Sequence, residues 1–150
     1  MLRRLFTKHA SLNTRLTSPS SPWPWAVLAL GIALPLLTAL WVAAGLLLSA
    51  PSPWMAVVAA ADASLMLRLL RVPAGNARVA AALAFTLLCA ALSLWIIVAG
   101  IVGPAFGLLP WESALRLGPV LFGAIAANWL DAASGFWLIV ALGLAWWWNR

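Results

Sequence analysis

The apolar residues of this chain are gathered into long runs, separated by short links rich in proline, glycine, serine and charged residues. Four runs are long enough to cross a bilayer as helices, and they cover residues 25–48, 54–70, 79–102 and 132–148. At about 1.5 Å per residue the longest reach roughly 36 Å and the second roughly 25 Å, against a hydrocarbon core of about 30 Å. The pattern predicts an all-α integral membrane bundle of four transmembrane helices, with residues 23–150 forming a single transmembrane domain.

The apolar stretch between the third and fourth runs is harder to assign. Glu112 lies where a helix would begin, which suits the helix dipole, and Arg116 follows as its i,i+4 partner. A Gly-Pro pair then interrupts the pattern, and the apolar segment that remains has the length of an interfacial or re-entrant element. We therefore expect an interfacial helix over about residues 111–130 on the outer surface. The alternative is a fifth transmembrane helix, which places Asp131 in an inner turn and Arg150 outside.

The basic residues are distributed unevenly between the two sides of the membrane that these helices imply. Eight of the nine fall on one side. Because Lys and Arg are retained in the cytoplasm during insertion while acidic residues contribute little, we expect both termini to be cytoplasmic. The eight residues are Arg3, Arg4, Lys8, Arg15, Arg68, Arg71, Arg78 and Arg150, and only Arg116 lies opposite, with Glu112 and Asp131.

The first segment of the chain bears on its location. Residues 1–22 are basic, rich in serine and threonine and free of acidic residues, and we interpret them as a disordered cytoplasmic tail that enforces orientation. Residue types with AT-rich codons are scarce, which indicates a GC-rich genome and favours the bacterial inner membrane. The alternative is the mitochondrial inner membrane, because a cleaved transit peptide has the same composition as this tail.

The composition excludes several classes of function. The chain is 65% hydrophobic and only 8% charged, whereas a soluble domain carries about 25% charged residues, so a water-soluble globule is excluded. The net charge of +6 lies at helix ends and not on a solvated face, so we expect the lipid bilayer as partner and no nucleic acid. With one cysteine, Cys89, and one histidine, His9, we expect no disulfide, metal centre or other cofactor. Neither an activated nucleophile nor a pair of carboxylates is present, so we expect no enzymatic activity.

Asp62 is the main candidate for chemistry, because it lies near the middle of the second predicted helix. An aspartate at the centre of a membrane helix costs about 3 kcal/mol on insertion scales, and such residues usually face the protein interior. A hairpin between the second and third helices brings residue 62 level with residue 87. Since Thr86, Cys89 and Ser93 form one weakly polar stripe there, we predict a hydrogen bond from Asp62 to Thr86. In one interpretation Asp62 carries a proton or binds a cation or polar substrate, and in the other this bond only locks the hairpin.

Small residues and tryptophans complete the pattern. Small residues at four-residue spacing allow close approach of membrane helices, either within the hairpin or in an oligomer. They are Ala56, Ala60 and Ser64, then Ala59 and Ala63, then the pairs Ala77–Ala81 and Ala80–Ala84. Most tryptophans fall at helix ends, where an indole ring anchors a helix at the membrane interface. The predicted anchors are Trp23, Trp25, Trp54, Trp146, Trp147 and Trp148.

The sequence therefore predicts a small polytopic membrane protein without enzymatic activity. We expect an accessory, assembly or scaffold component that works by helix packing with itself or with a larger membrane protein. The alternative is a small transporter or proton-coupled component that uses Asp62. The two differ at that residue, because asparagine keeps a hydrogen bond but cannot carry a proton.

Overall fold

The computed structural model describes residues 21–48, 52–129 and 131–150, and within these ranges the chain forms helices and no strand, so the predicted all-α class is confirmed. Most of the predicted tail lies outside the described residues, as do residues 49–51 between the first two predicted transmembrane helices and residue 130. The helices are α1 Trp23–Leu47, α2 Met55–Leu69, α3 Asn76–Val102, a 3-10 turn Gly103–Phe106, α4 Pro110–Arg116, α5 Pro119–Trp129 and α6 Ala132–Asn149.

The predicted four membrane-spanning helices are confirmed only in part. In the described residues, two helices are long and apolar enough to cross a bilayer, namely α1 and the α3 region over Asn76–Phe106. The segments Pro119–Asn128 and Ala132–Asn149 qualify only as a pair, and they meet at an angle of 97°, as in a broken span or a re-entrant loop. The 15 residues of α2 reach only about 22 Å, which is less than the thickness of the hydrocarbon core. By length and composition the described residues thus contain two candidate spans, or three if the bent pair is one span.

α3 is the central helix of the bundle. It contacts α1, α2, α4, α5 and α6, while α2 packs against α1, α3 and most extensively against α6. In the described residues α1 and α6 each pack against both α2 and α3, and their backbones do not pack against each other. The α2–α3 packing agrees with the predicted hairpin.

A seam of small residues joins α2 to α6. Asn149 of α6 donates a hydrogen bond to Ser64 of α2. Ala145 and Ala141 lie one and two turns before Asn149, Ala60 and Ala56 lie one and two turns before Ser64, and all four alanines are buried. The two helices end at the same end of the bundle. Because its small residues face α6, the stripe predicted on α2 serves packing within the chain. On α3 the predicted pair Ala80 and Ala84 is exposed, and of the pair Ala77 and Ala81 only Ala81 packs against the core.

The link between α2 and α3 is a Schellman motif. The N–H of Val72 donates to the carbonyl of Leu67 at 3.0 Å, and the N–H of Arg71 donates to that of Arg68 at 2.9 Å. Leu67 and Val72 are both buried, which is the hydrophobic contact that accompanies this motif. The residue that adopts the left-handed conformation is Arg71, with φ of 55°, where glycine is usual. Gly75, with φ of 151°, then leads into α3.

The predicted interfacial helix over 111–130 is wrong in detail, because two short helices occupy this stretch. The chain is extended at Leu117 and interrupted at Gly118, since the residue before a proline is disfavoured in the helical conformation. The predicted Glu112–Arg116 pair is also not formed: the Glu112 carboxylate accepts from the N–H of Leu109 at 3.2 Å. At the start of a helix the backbone N–H groups have no partner within the helix. They lie closer to the Glu112 carboxylate than the exposed Arg116 cation one turn away, so the carboxylate accepts from an N–H group.

Trp95 connects α4 and α5 to α3. Its indole N–H donates to the carbonyl of Ala114 at 3.0 Å, and its ring lies 4.7 Å from that of Phe122. Gly103 allows the chain to turn back here, because a Cβ at this position would lie 2.9 Å from the carbonyl oxygen of Leu108. Trp95 therefore packs α4 and α5 against α3.

Candidate functional site

Asp62 lies at the centre of α2, on the side that faces away from the bundle. Val58, Leu65 and Leu69 share this side and are all exposed, and Asp62 itself is partly exposed. We call these four residues the Asp62 stripe. In the part of the chain that the structure describes, the carboxylate makes no hydrogen bond and no ion pair.

The predicted hydrogen bond between Asp62 and Thr86 is not formed. Thr86 is fully buried, and its hydroxyl donates to the carbonyl of Ala82 in its own helix at 2.9 Å. A buried threonine in a helix has this acceptor always within reach. The buried side of α2 is centred near Ala56 and Ala63, and at 100° per residue Asp62 lies about 110° from that centre.

Ser93, the third predicted residue, is not joined to the other two. It is fully buried in α3, and its hydroxyl has no hydrogen-bond partner among the described residues. The predicted polar contact is therefore absent: the Asp62 carboxylate faces outward, whereas the hydroxyls of Thr86 and Ser93 face the interior.

A polar network that the sequence analysis did not predict joins three helix ends, where α2 and α6 end and α3 begins. We call this region the arginine end. At its centre, the guanidinium of Arg78 is only 8% exposed. Its Nε donates to Oδ1 of Asn149 at 2.9 Å, and its two Nη atoms donate to the carbonyls of Val72 and Trp148, each at 3.1 Å. One arginine thereby connects the α2–α3 link to the last turn of α6.

Asn149 is the second centre of this network, and it is fully buried. Its amide nitrogen donates to the hydroxyl of Ser64 at 2.8 Å and to the carbonyl of Ala145 at 2.7 Å, while its oxygen accepts from Arg78. The hydroxyl of Ser64 donates in turn to the carbonyl of Ala60 at 2.6 Å. Every polar atom of the Asn149 side chain is therefore used to hold α6 against α2 and α3.

Arg68 adds a second cation at this end. It is exposed, and its Nη2 donates to the carbonyl of Trp148 at 2.6 Å, the same oxygen that accepts from Arg78. Its guanidinium carbon also lies 5.6 Å from the centre of the Trp148 ring, and that of Arg150 lies 4.8 Å from the Trp146 ring. Cations near the last carbonyls of α6 complement the negative end of its dipole.

This network positions helices and has no means of proton transfer. Its acceptors are backbone carbonyls, an amide and a hydroxyl, and an arginine keeps its charge in proteins. The described residues also hold no group of three or more His, Cys, Asp or Glu side chains that could bind a metal. One sequence signal was available: Ala141, Ala145 and Asn149 repeat the four-residue spacing of the α2 stripe.

The six predicted tryptophan anchors occupy different environments. Trp25, Trp54 and the last three tryptophans are exposed, while Trp23 is partly buried and packs against the core. Trp146 and Trp148 in addition carry arginines over their rings. Comparison of this chain with protein-family models, curated proteins and solved structures finds no match.

Proposed function

We propose that this small membrane protein is an assembly or scaffold component of the bacterial inner membrane, without enzymatic activity, with four spans and with both termini in the cytoplasm. Its two or three apolar helices support the membrane location. The charge asymmetry supports the orientation. In this proposal the chain works by packing against a transmembrane helix of another membrane protein.

The Asp62 stripe is the observation that carries the proposal. A carboxyl group at the centre of a membrane helix costs about 3 kcal/mol, and such groups almost always face a protein interior or a water path. Here it lies among exposed apolar side chains, with no partner in the described part of the chain. A neighbouring helix with a hydrogen-bond donor opposite Asp62 would offset about 0.6–2 kcal/mol of this cost and would cover the stripe.

The arginine end supports the same function. A scaffold has to present its contact surface on a fixed helix, and α2 is held from its buried side by the small-residue seam with α6. The bonds of Ser64 and Arg68 to Asn149 and Trp148 fix the end of α2 as well. The Asp62 stripe therefore lies on a helix whose orientation is fixed before a partner binds.

Proton-coupled transport is the second candidate, and one observation favours it. Asp62 is partly exposed and unpaired among the described residues, which leaves its carboxyl free to take up a proton. This function requires a titrating group at residue 62, whereas helix packing requires only a group that accepts a hydrogen bond.

Photo-crosslinking in cells tests the proposal. A photo-reactive amino acid at Leu65 should give one discrete adduct with a second membrane protein, while the same residue at Leu36, an equally lipid-exposed position on α1, should not. The adduct should survive Asp62→Asn and be lost in Asp62→Leu, because only asparagine keeps the hydrogen bond. An adduct with a second copy of this chain would show that the chain packs as a homo-oligomer and not against a different membrane protein.

Two results would overturn the assembly function. One is the absence of any adduct that is specific to Leu65. The other is proton flux in proteoliposomes of the purified chain that is present in the wild type and abolished by Asp62→Asn, which would establish the transport function.

A further inference from the structure

The arginine end carries positive charge that the described residues do not neutralise. Four arginines belong to it, namely Arg68, Arg71, Arg78 and Arg150. The acidic residues of the described chain lie elsewhere: Asp62 in the middle of α2, Glu112 in α4 and Asp131 before α6. The hydrogen-bond acceptors of Arg68 and Arg78 are all uncharged. An anion from outside the chain would balance this charge.

The geometry concentrates two of these cations at one point. Arg68 and Arg78 both donate to the carbonyl oxygen of Trp148, at 2.6 and 3.1 Å, so their Nη2 atoms lie no more than about 6 Å apart. Arg78 is buried and uses its donors within the chain. Arg68 is exposed and its other N–H groups have no acceptor among the described residues. The cation–π contact with Trp148 holds its guanidinium in place.

Arg71 provides an independent observation. It occupies the left-handed position of the Schellman motif, where an L side chain is strained and glycine is usual. Its side chain is exposed, one helical turn after Arg68. A strained residue at such a position points to a role for its side chain, which here is a third cation at the same end.

We infer that the arginine end binds the phosphate group of an anionic phospholipid, with Arg68 and Arg71 as the contacting cations. A guanidinium presents parallel N–H donors that match two phosphate oxygens. The exposed indoles of Trp146 and Trp147 next to the site suit the glycerol and acyl region of the same lipid layer. This inference needs the chain to lie in a membrane, but it does not depend on the assembly function.

Native mass spectrometry of the full chain, purified from mixed phosphatidylglycerol and phosphatidylcholine micelles, tests the site. We expect preferential retention of phosphatidylglycerol, weakened about fivefold by Arg68→Gln and about fivefold by Arg71→Gly, as about 1 kcal/mol per basic residue implies. Arg116→Gln removes an exposed arginine at the other end of the molecule and is the matched control, which should leave retention unchanged.

Arg71→Gly keeps the test valid if Arg68→Gln unfolds, because glycine relieves backbone strain. We expect this variant to melt at a higher temperature than the wild type while it loses phosphatidylglycerol. Equal retention of the two lipids, or an equal loss in Arg116→Gln, would overturn the inference. A rise in melting temperature with millimolar inorganic phosphate as large as that with phosphatidylglycerol would also overturn it, because the ligand would then be free phosphate.

Discussion

Replacing Asn149 by alanine should destabilise the bundle strongly, because Asn149 joins α6 to both α2 and α3. The substitution removes the bond from Arg78 Nε and the bonds to Ser64 and Ala145. A bond to a charged group contributes about 1.5–3 kcal/mol in soluble proteins and a neutral one about 0.5–1.5 kcal/mol. Measured side-chain bonds between membrane helices are weaker, about 0.6 kcal/mol on average. We therefore expect a loss of about 2–4 kcal/mol, much of it from leaving the Arg78 Nε without its partner.

The free energy of unfolding in mixed detergent and SDS micelles measures this loss. Asn128→Ala is the matched control, because Asn128 is exposed and its amide reaches only the carbonyl of Ala124 in its own helix, at 3.4 Å. It should change the free energy by less than about 0.5 kcal/mol. In a double-mutant cycle, Asn149→Ala and Ser64→Ala should show a coupling of about 1 kcal/mol. Equal effects of the two asparagine variants would refute the network as the lock between α6 and α2.

The same unfolding assay tests two backbone predictions. Arg71→Gly should stabilise the fold by about 1 kcal/mol, since glycine adopts the left-handed conformation without strain, and Arg71→Ala, which keeps the strain, should not. Gly103→Ala should destabilise by about 1–3 kcal/mol, because its methyl group would lie 2.9 Å from a backbone carbonyl oxygen. Gly100→Ala, in the preceding turn with open space around the new methyl group, should instead be neutral or stabilising, and a loss as large as that of Gly103→Ala would contradict this account.

Local signals in the sequence predicted much of the fold. The apolar runs predicted the helical class and the hairpin between the second and third helices, which are α2 and α3. The bounds of α2, Met55–Leu69, differ from the predicted 54–70 by one residue at each end. Such features depend on neighbouring residues, so they can be read from the chain directly.

The candidate site depends on contacts between distant residues, which those signals do not contain. The turn indicated that Asp62 is level with residue 87, but not how α2 is rotated about its axis. That rotation is set by burial of Ala59, Ala60 and Ala63 against α3 and α6. The bond between Ser64 and Asn149 joins residues 85 apart in sequence, so it could be found only by pairing the two small-residue stripes.

The arginines illustrate a second limit. Their positions at helix ends are explained fully by membrane orientation, so the sequence pattern did not indicate that Arg78 would be buried. Its burial follows from the convergence of three helix ends that together supply three acceptors. One residue type thus serves orientation and packing, and only the geometry separates these roles.

Topology mapping with reporter fusions tests the arrangement on which the whole account depends. The Arg78–Asn149 bond requires Gly75 and Arg150 to lie on the same side of the membrane, and the charge asymmetry predicts that this side is the cytoplasm. Fusions after Gly75 and Arg150 should report the cytoplasm, and fusions after Ala114 and Asp131 should report the outside. A cytoplasmic Asp131 with an external Arg150 would contradict the account, because the arginine end could not then exist as one site.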